Sequence, residues 1–519
     1  MMMTSRLFLT ALTFAVLCPL SAQTTFPLSA KQDKEGIMSK AYWKLWNPKV
    51  QAKIDKDIEQ NRKADASIIL SDAKPGTEVK VEQTKSDFIF GAHIFNFDQL
   101  GTKERNDRYK SLFGTLFNRA TVGFYWKQFE TRPGRKRYRE EYWDTEDWWN
   151  HQDNPNYQTH WRRPSTDKVV DFLEKKGVAI HGHPLIWGNE HWQQPAWLYR
   201  MFTPEEKKVA DRLIASYPDP YEVLSEVKMK KGWRDSISDA DLNTKLKAYG
   251  EKLNKVYEMR IRDLIAYYGK RIGSWDVVNE SAIDYAHGNF KGDAALMKSD
   301  YGIMPGGYTY KAFKTADDCF PQGVWKNIND YWTGPEYAKQ VKDLLSRGAK
   351  IDIVGSQMHL FDPKQCTDIA AGKEIQTPSH VWNLMSDLAS TGLPLCLSEI
   401  TITSPSLDHK GQMIQAIIAY NLYRIWFSIK EMKAITWWNV VDGCGAPGEP
   451  SVSGLFTRDM QPKMAYYALN DLINNQWKTR MTVKADSNGQ IKFRGFRGLY
   501  KITYTTKEGT AKTIDYHVK

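Results

Sequence analysis

Residues Gly273–Glu280 read GSWDVVNE. The paired valines mark a short β-strand, and the run stops on an amide and a carboxylic acid, Asn279 and Glu280. A strand that ends so has something to face. Outward from it the same pattern recurs as FIFGAHI, NRATVGF, GVAIHGHPLIW, NINDYW, KIDIVGSQMHL, LPLCLSEITI and AITWWNVVD. Several of these runs follow helix-patterned stretches such as STDKVVDFLEKKG and GPEYAKQVKDLLSRG. Eight short apolar strands alternating with helices predict an α/β fold, a (β/α)8 TIM barrel. Long polar and aromatic inserts at 129–165, 199–245 and 282–322 fall after strands two, three and four, at the end where such barrels keep their active sites.

Both ends of the chain differ from this middle. The first residues, MMMTSR followed by LFLTALTFAVLCPL and SA, give a basic start, a short apolar run and small residues, the layout of a cleaved secretory signal. Residues 1–22 are therefore expected to be removed after Ala22, and the protein to be secreted or periplasmic. Cys18 is preceded by Leu17 and followed by Pro19, which disfavours lipidation. Residues 23–86 are read as an N-terminal extension, helical over 36–64 and then stranded, and 87–475 as the catalytic barrel. Residues 476–519, with alternating strands and Asn-Gly and Glu-Gly turns, form a small accessory β-domain, to which the N-terminal strands contribute or not.

No stretch after the signal is apolar and long enough to span a membrane. The cysteines that follow it, Cys319, Cys366, Cys396 and Cys444, have neither zinc-site nor CxxC spacing; they allow one disulfide but no disulfide framework. The formal charge is +11, but the most basic run, RPGRKRYREEYWDTEDWW, turns acidic within itself. That favours a solvated surface over a nucleic-acid partner, with anionic substrates as a lesser reading. The chain has 19 tryptophans and 26 tyrosines, rings suited to stacking on sugar faces as well as to packing cores. Trp143, Trp148, Trp149 and Trp161 belong either to a loop's own packing or to a sugar platform.

The C-terminal ends of the eight runs present His93, Lys127, His181 and His183, Asn279 and Glu280, Asn329 to Tyr331, Gln357 and His359, Glu399, and Trp438. Two glutamates from different strands, set among amides, imidazoles and indoles, can cleave a glycosidic bond. One protonates the leaving oxygen while the other stabilises or attacks the anomeric carbon. Such an acid stays protonated near neutral pH when a second carboxylate raises its proton affinity.

WDVVNE, HGHPLIW, NDYW, IDIVGSQMHL, LPLCLSEITI and GLFTRDMQPKMAY together resemble, in order, the motifs of glycoside hydrolase family 10, the endo-β-1,4-xylanases, from about Phe88 to Leu472. The resemblance implies a retaining mechanism with Glu280 as acid/base and Glu399 as nucleophile. It implies that Asn279 bonds the sugar 2-hydroxyl and that Gln357 and His359 hold the nucleophile and sugar. Lys127, His183, Trp187 and Trp438 then line the subsite of the reacting sugar, with Tyr331 also binding substrate. No cofactor and no metal is expected; the partner is a polysaccharide or oligosaccharide, and oligomeric state stays open.

Departures from the family bear on substrate. Gly123-Phe124 replace the Glu-Asn pair that holds the second sugar on the non-reducing side, Ala446 stands where a second tryptophan is expected, and Thr401 replaces the aspartate partner of His359. His181 replaces an arginine, and Trp187-Gly188-Asn189-Glu190 replaces WHSQ. Linear xylan is therefore doubtful as the best substrate, against a decorated xylan or another β-glycan. Rival readings are a non-catalytic glycan-binding protein on the same barrel, an exo-acting glycosidase on a non-xylan glycan, and a metal-dependent hydrolase using His181, His183 and His191.

Overall fold

A computed structural model describes residues 26–139, 164–220, 225–290, 294–446 and 448–519. The expected signal segment 1–22 and Trp143, Trp148, Trp149 and Trp161 lie outside the described residues.

All eight runs form the expected strands: Ile89–His93, Arg119–Gly123, Ala179–His183, Ser274–Asn279, Trp325–Asp330, Ile353–Leu360, Leu395–Ile402 and Met432–Trp437. Each pairs in parallel with the next, and the eighth pairs with the first, Ala434 opposite Ile89, so the sheet closes. With helices between the strands this is a (β/α)8 barrel. The fourth and seventh strands are buried along their whole length, as parallel strands covered on both faces must be.

The helix His409–Ser428 is buried almost throughout, which an outer barrel helix need not be. The N-terminal helix Pro48–Arg62 covers it. Gln51 Nε2 donates to Asn421 Oδ1 at 2.7 Å, Arg424 Nη2 donates to Asp55 Oδ1 at 2.6 Å, and Arg62 caps the far end through the Phe427 carbonyl. The N-terminal extension thus supplies the partner for an apolar face that would otherwise meet water.

Strands from both ends of the chain pair outside the barrel. Glu78–Ser86 lies between Arg480–Lys484 and Gly498–Thr505, with Ala511–Val518 at the edge, and Lys63–Ile69 pairs with Gln490–Phe496. Val79, Val81, Tyr500 and Ile502 centre a separate small core. Because Glu78–Ser86 ends just before the first barrel strand begins, this unit adjoins the N-terminal ends of the strands. The C-terminal ends are left to the inserts. Cys319, Cys366 and Cys396 are in no disulfide. Among the described residues no helix is long and apolar enough to cross a membrane.

Candidate active site

A cavity of about 430 Å³ opens at the C-terminal ends of the strands. Of the expected site residues it is lined by His183, Trp187, Asn279, Glu280, Tyr331, Gln357, His359, Glu399 and Trp438. Strand register brings these together. Asn279 lies opposite Asn329, Gln357 opposite Glu399, and His359 opposite Thr401. Register shifts at Asn327/Ile328 and Ser356/Gln357 are local irregularities of the kind that re-aim side chains beside a site.

The two glutamates are joined by amides and an imidazole. Gln357 Nε2 donates to Glu280 Oε1 at 3.0 Å, and its Oε1 lies 3.2 Å from His359 Nε2. The same imidazole nitrogen is 3.5 Å from Glu399 Oε2. On the other side Asn329 Nδ2 reaches both Asn279 Oδ1 at 2.8 Å and Glu399 Oε1 at 2.9 Å. His359 Nδ1 meets Thr401 Oγ1 at 2.9 Å, so a neutral hydroxyl holds the ring. The resemblance assigned the nucleophile and sugar to His359 and Gln357 together; His359 is the one of the two beside Glu399, the Gln357 amide is bonded to Glu280, and Asn329 also bonds Glu399.

Burial, and then the charge of Glu399, push the Glu280 carboxyl up to about 7, against the bond from Gln357. Glu280 also sits at φ 53°, a left-handed conformation that costs a non-glycine residue about 1 kcal/mol or more. Two bonds hold it there: its N–H donates to the Asn329 carbonyl at 2.7 Å, and Tyr301 Oη donates to its carbonyl at 2.5 Å. Tyr301 comes from the hairpin Leu296–Ser299/Gly302–Pro305 in the insert after strand four. A Cβ on Gly188 would stand 2.3 Å from the Tyr301 ring, so this approach requires glycine.

Asp276 Oδ2 takes His181 Nε2 at 3.0 Å and His183 Nδ1 at 2.7 Å. Burial opposes ionisation of Asp276, but the two imidazoles outweigh it and hold its carboxyl well below the usual range. Burial likewise works against a proton on His183, yet the bond to Asp276 and the charge of Glu399 raise it. His183 Nε2 stands 3.9 Å from Glu399 Oε1. His181 is lowered, chiefly by burial, and its second nitrogen meets Ser274 Oγ at 2.8 Å. His191 pairs with Glu226 at 3.5 Å instead. No cluster of three or more metal-ligating side chains occurs among the described residues, and these histidines are spoken for by two different carboxylates.

Lys127 is a correction. It is buried, but its ammonium donates to the carbonyls of Glu190 at 2.6 Å, His191 at 2.8 Å and Ser225, and it is not among the residues lining the cavity. Carbonyls of two loops satisfy the charge behind the wall. Phe124 likewise turns inward, fully buried with its ring 4.7 Å from that of Trp275. The wall beside it is aromatic: Phe95 stacks on His93 at 4.4 Å, Trp438 stands edge-on to both, Tyr125 faces His183, and Phe361 stacks on His359 at 4.4 Å.

Residues that sequence reasoning missed are Tyr301, Asn329 as a bonding group, Phe95, Tyr125, Phe361 and Glu449. Asn329 stood at a strand end and was readable there. Glu449 lies in the loop after strand eight, where no periodic signal reaches. Burial raises its carboxyl above the ordinary range.

A (β/α)8 barrel with one carboxylate directly after its fourth strand and another within its seventh, both facing the mouth, is the equipment of a glycoside hydrolase. Residues 82–228 and 232–472 match the model of glycosyl hydrolase family 10, and the chain belongs to that family. Among curated relatives it is 22% identical over 345 residues to anti-sigma-I factor RsgI6 of Acetivibrio thermocellus, covering 65% of this chain and 34% of that one. It is 25% identical over 317 residues to endo-1,4-beta-xylanase A of Thermoanaerobacterium saccharolyticum, covering 59% of this chain and 22% of that one. Endo-1,4-beta-xylanase B of Thermotoga neapolitana is 24% identical over 326 residues, 60% of this chain and 75% of the relative. The matched region is thus about a third or less of the first two relatives. The fold also matches native xylanase 10B from Thermotoga maritima, with TM-score 0.50 and 18% identity over 75% of this chain and 96% of that one.

Proposed function

We propose that this protein is an exported retaining β-glycanase that cleaves β-linked polysaccharide of the xylan type. The observation that carries the reading is the Glu280–Gln357–His359–Glu399 chain at the cavity wall, with Glu280 raised to about 7 beside Glu399. In the first half-reaction Glu399 attacks the anomeric carbon as the bond to the leaving oxygen breaks, and Glu280 gives that oxygen its proton. The glycosyl ester on Glu399 has no charge, so the second of the two causes that raised Glu280 is relieved while burial remains. Glu280 then takes a proton from water, whose oxygen attacks the anomeric carbon and releases Glu399. Asn329 and His359 orient Glu399, and Gln357 orients Glu280. Trp187, Trp438, Tyr331, Asn279 and His183 surround the reacting sugar.

Xylan as the substrate class is supported by the family and by the names of the relatives. The inward turn of Phe124 and the aromatic wall of Phe95 and Tyr125 leave the neighbouring sugar to stacking rather than to charged hydrogen-bond partners. That favours a changed side-chain tolerance over plain linear xylan. The basic, apolar start of the sequence supports export, and the terminal strands, at the opposite end of the barrel, are read as a structural unit.

The test is reducing-sugar release from glucuronoxylan, arabinoxylan and other β-glycans by the mature protein and by Glu280→Gln and Glu399→Gln. Loss of at least a thousandfold in kcat is expected for Glu399→Gln, with release from at least one xylan by the unaltered protein. Release that survives Glu399→Gln would refute the mechanism. Glycan binding with no release by the unaltered protein would make it a binding protein.

A further inference from the structure

The loop after the eighth barrel strand adds a third carboxylate to the cavity. Glu449 Oε2 accepts from Asn439 Nδ2 at 2.7 Å and from the Ala446 N–H at 2.9 Å. Asn439 is itself pinned, at φ 55°, by its N–H donating to His93 Nε2 at 2.7 Å. A Cβ on Gly445 would stand 2.8 Å from the same Glu449 oxygen and 3.1 Å from the Glu449 Cβ, so a side chain there would displace the carboxylate from this position. One carboxylate oxygen is thereby fixed. The other, Oε1, takes no hydrogen bond from the described residues, and Glu449 lines the cavity with Glu280, Glu399 and the small side chain of Ala446.

Carboxylates are the charged side chains nearest the loop, and imidazoles are the basic groups of the wall, His183 among them with its proton favoured by Asp276 and Glu399. Three glutamates line the cavity, the imidazoles are His93, His183 and His359, and no lysine or arginine lines it among the described residues. The chain's surplus of +11 does not reach this wall. A fixed carboxylate with an open acceptor oxygen suits a sugar hydroxyl, and it repels a carboxylate brought to the same place.

We propose that Glu449 is a specificity-determining residue: its Oε1 accepts a hydroxyl hydrogen from a neutral sugar unit in the cavity, and its charge excludes a uronic acid there. This rests on the β-glycanase reading for its ligand class and is tested by binding, so the two can fail separately.

The experiment is calorimetric titration of the full-length Glu399→Gln protein, alone and combined with Glu449→Gln or Glu449→Asp. The ligands are xylotriose and xylotriose bearing glucuronic acid on a terminal sugar. Glutamine keeps an acceptor for Asn439 and Ala446 and removes the charge. Aspartate keeps the charge. In the parent, the uronate ligand is expected to bind at least tenfold more weakly than the neutral one. Glu449→Gln should narrow that gap by about tenfold and weaken the neutral ligand severalfold, while Glu449→Asp should keep most of the gap. A gap unmoved by Glu449→Gln, a gap lost equally in Glu449→Asp, or no binding of either ligand would overturn the proposal. If the gap behaves as expected while release of reducing sugar survives Glu399→Gln, the proposed mechanism falls and this inference stands.

Discussion

Replacing Gln357 by leucine should move the alkaline limb of the pH profile upward. Gln357 Nε2 donates to Glu280 Oε1 at 3.0 Å, a bond that favours the ionised carboxylate and so lowers a carboxyl otherwise raised by burial and by Glu399. A hydrogen bond to a charged group contributes about 1.5 kcal/mol at the low end, and one pKa unit is about 1.36 kcal/mol, so its removal is worth about one unit. With Glu280 at about 7, the limb in kcat/KM that reports loss of the acid's proton should fall near 7 in the unaltered enzyme and near 8, by the same arithmetic, in Gln357→Leu. The variant will also be slower, because Gln357 touches His359 as well, but the position of the limb is independent of its height. The assay is kcat/KM on a soluble xylo-oligosaccharide from pH 5 to 9. A limb that stays in place or moves downward would refute the assignment of Glu280 as the proton donor governed by this bond.

The raised Glu280 also has a cost in stability. A carboxyl whose folded value lies above its ordinary 4.5 binds its proton more tightly in the folded state, so the penalty is absent below about 4.5, grows as pH rises, and is complete above about 7. Glu280→Gln should therefore match the unaltered protein near pH 4 and exceed it by about 1–2 kcal/mol at pH 8, a shift discounted for the open side of the cavity. Denaturant midpoints at the two pH values decide this, and a variant less stable at pH 8 would count against it. Asp276→Asn should cost about 3 kcal/mol at pH 7, because the two imidazoles on Oδ2 lose a buried charge partner. Asp276 is lowered, so its contribution is present above the ordinary aspartate range and is lost on acidification through its folded value. A loss under 1 kcal/mol in equilibrium denaturation would show that the histidines do not depend on it.

Strand ends were legible and loop residues were not, for a physical reason. Closing eight parallel strands fixes which side chains share the mouth; GSWDVVNE announces its acid where the strand stops being apolar, and LPLCLSEITI announces one as a carboxylate within an otherwise apolar strand. Gln357, His359 and Asn279 follow from the same register. Lys127 was misplaced because a lysine one turn beyond a strand can aim into the cavity or back at carbonyls, and only the path of the loops through Glu190, His191 and Ser225 decides it. Tyr301 and Glu449 arrive from a hairpin and a glycine-dependent loop, whose course depends on close approaches at Gly188 and Gly445 that no periodicity encodes.

This division bears on which parts of the family's pattern the chain keeps at 22–25% identity. Glu399, Asn329, Gln357 and His359 sit on strands, where moving one residue would flip its side chain to the other face, and Glu280 follows directly on the last residue of its strand. The departures Phe124 and Ala446 fall after strands two and eight, beyond the paired residues. There Phe124 has turned into the core against Trp275, aromatic rings have taken the wall, and a carboxylate stands tied to Ala446. A barrel can therefore change what it accepts by re-routing two loops while the reacting centre keeps its geometry, and specificity should map to Phe95, Tyr125 and Glu449 rather than to the residues around Glu280 and Glu399.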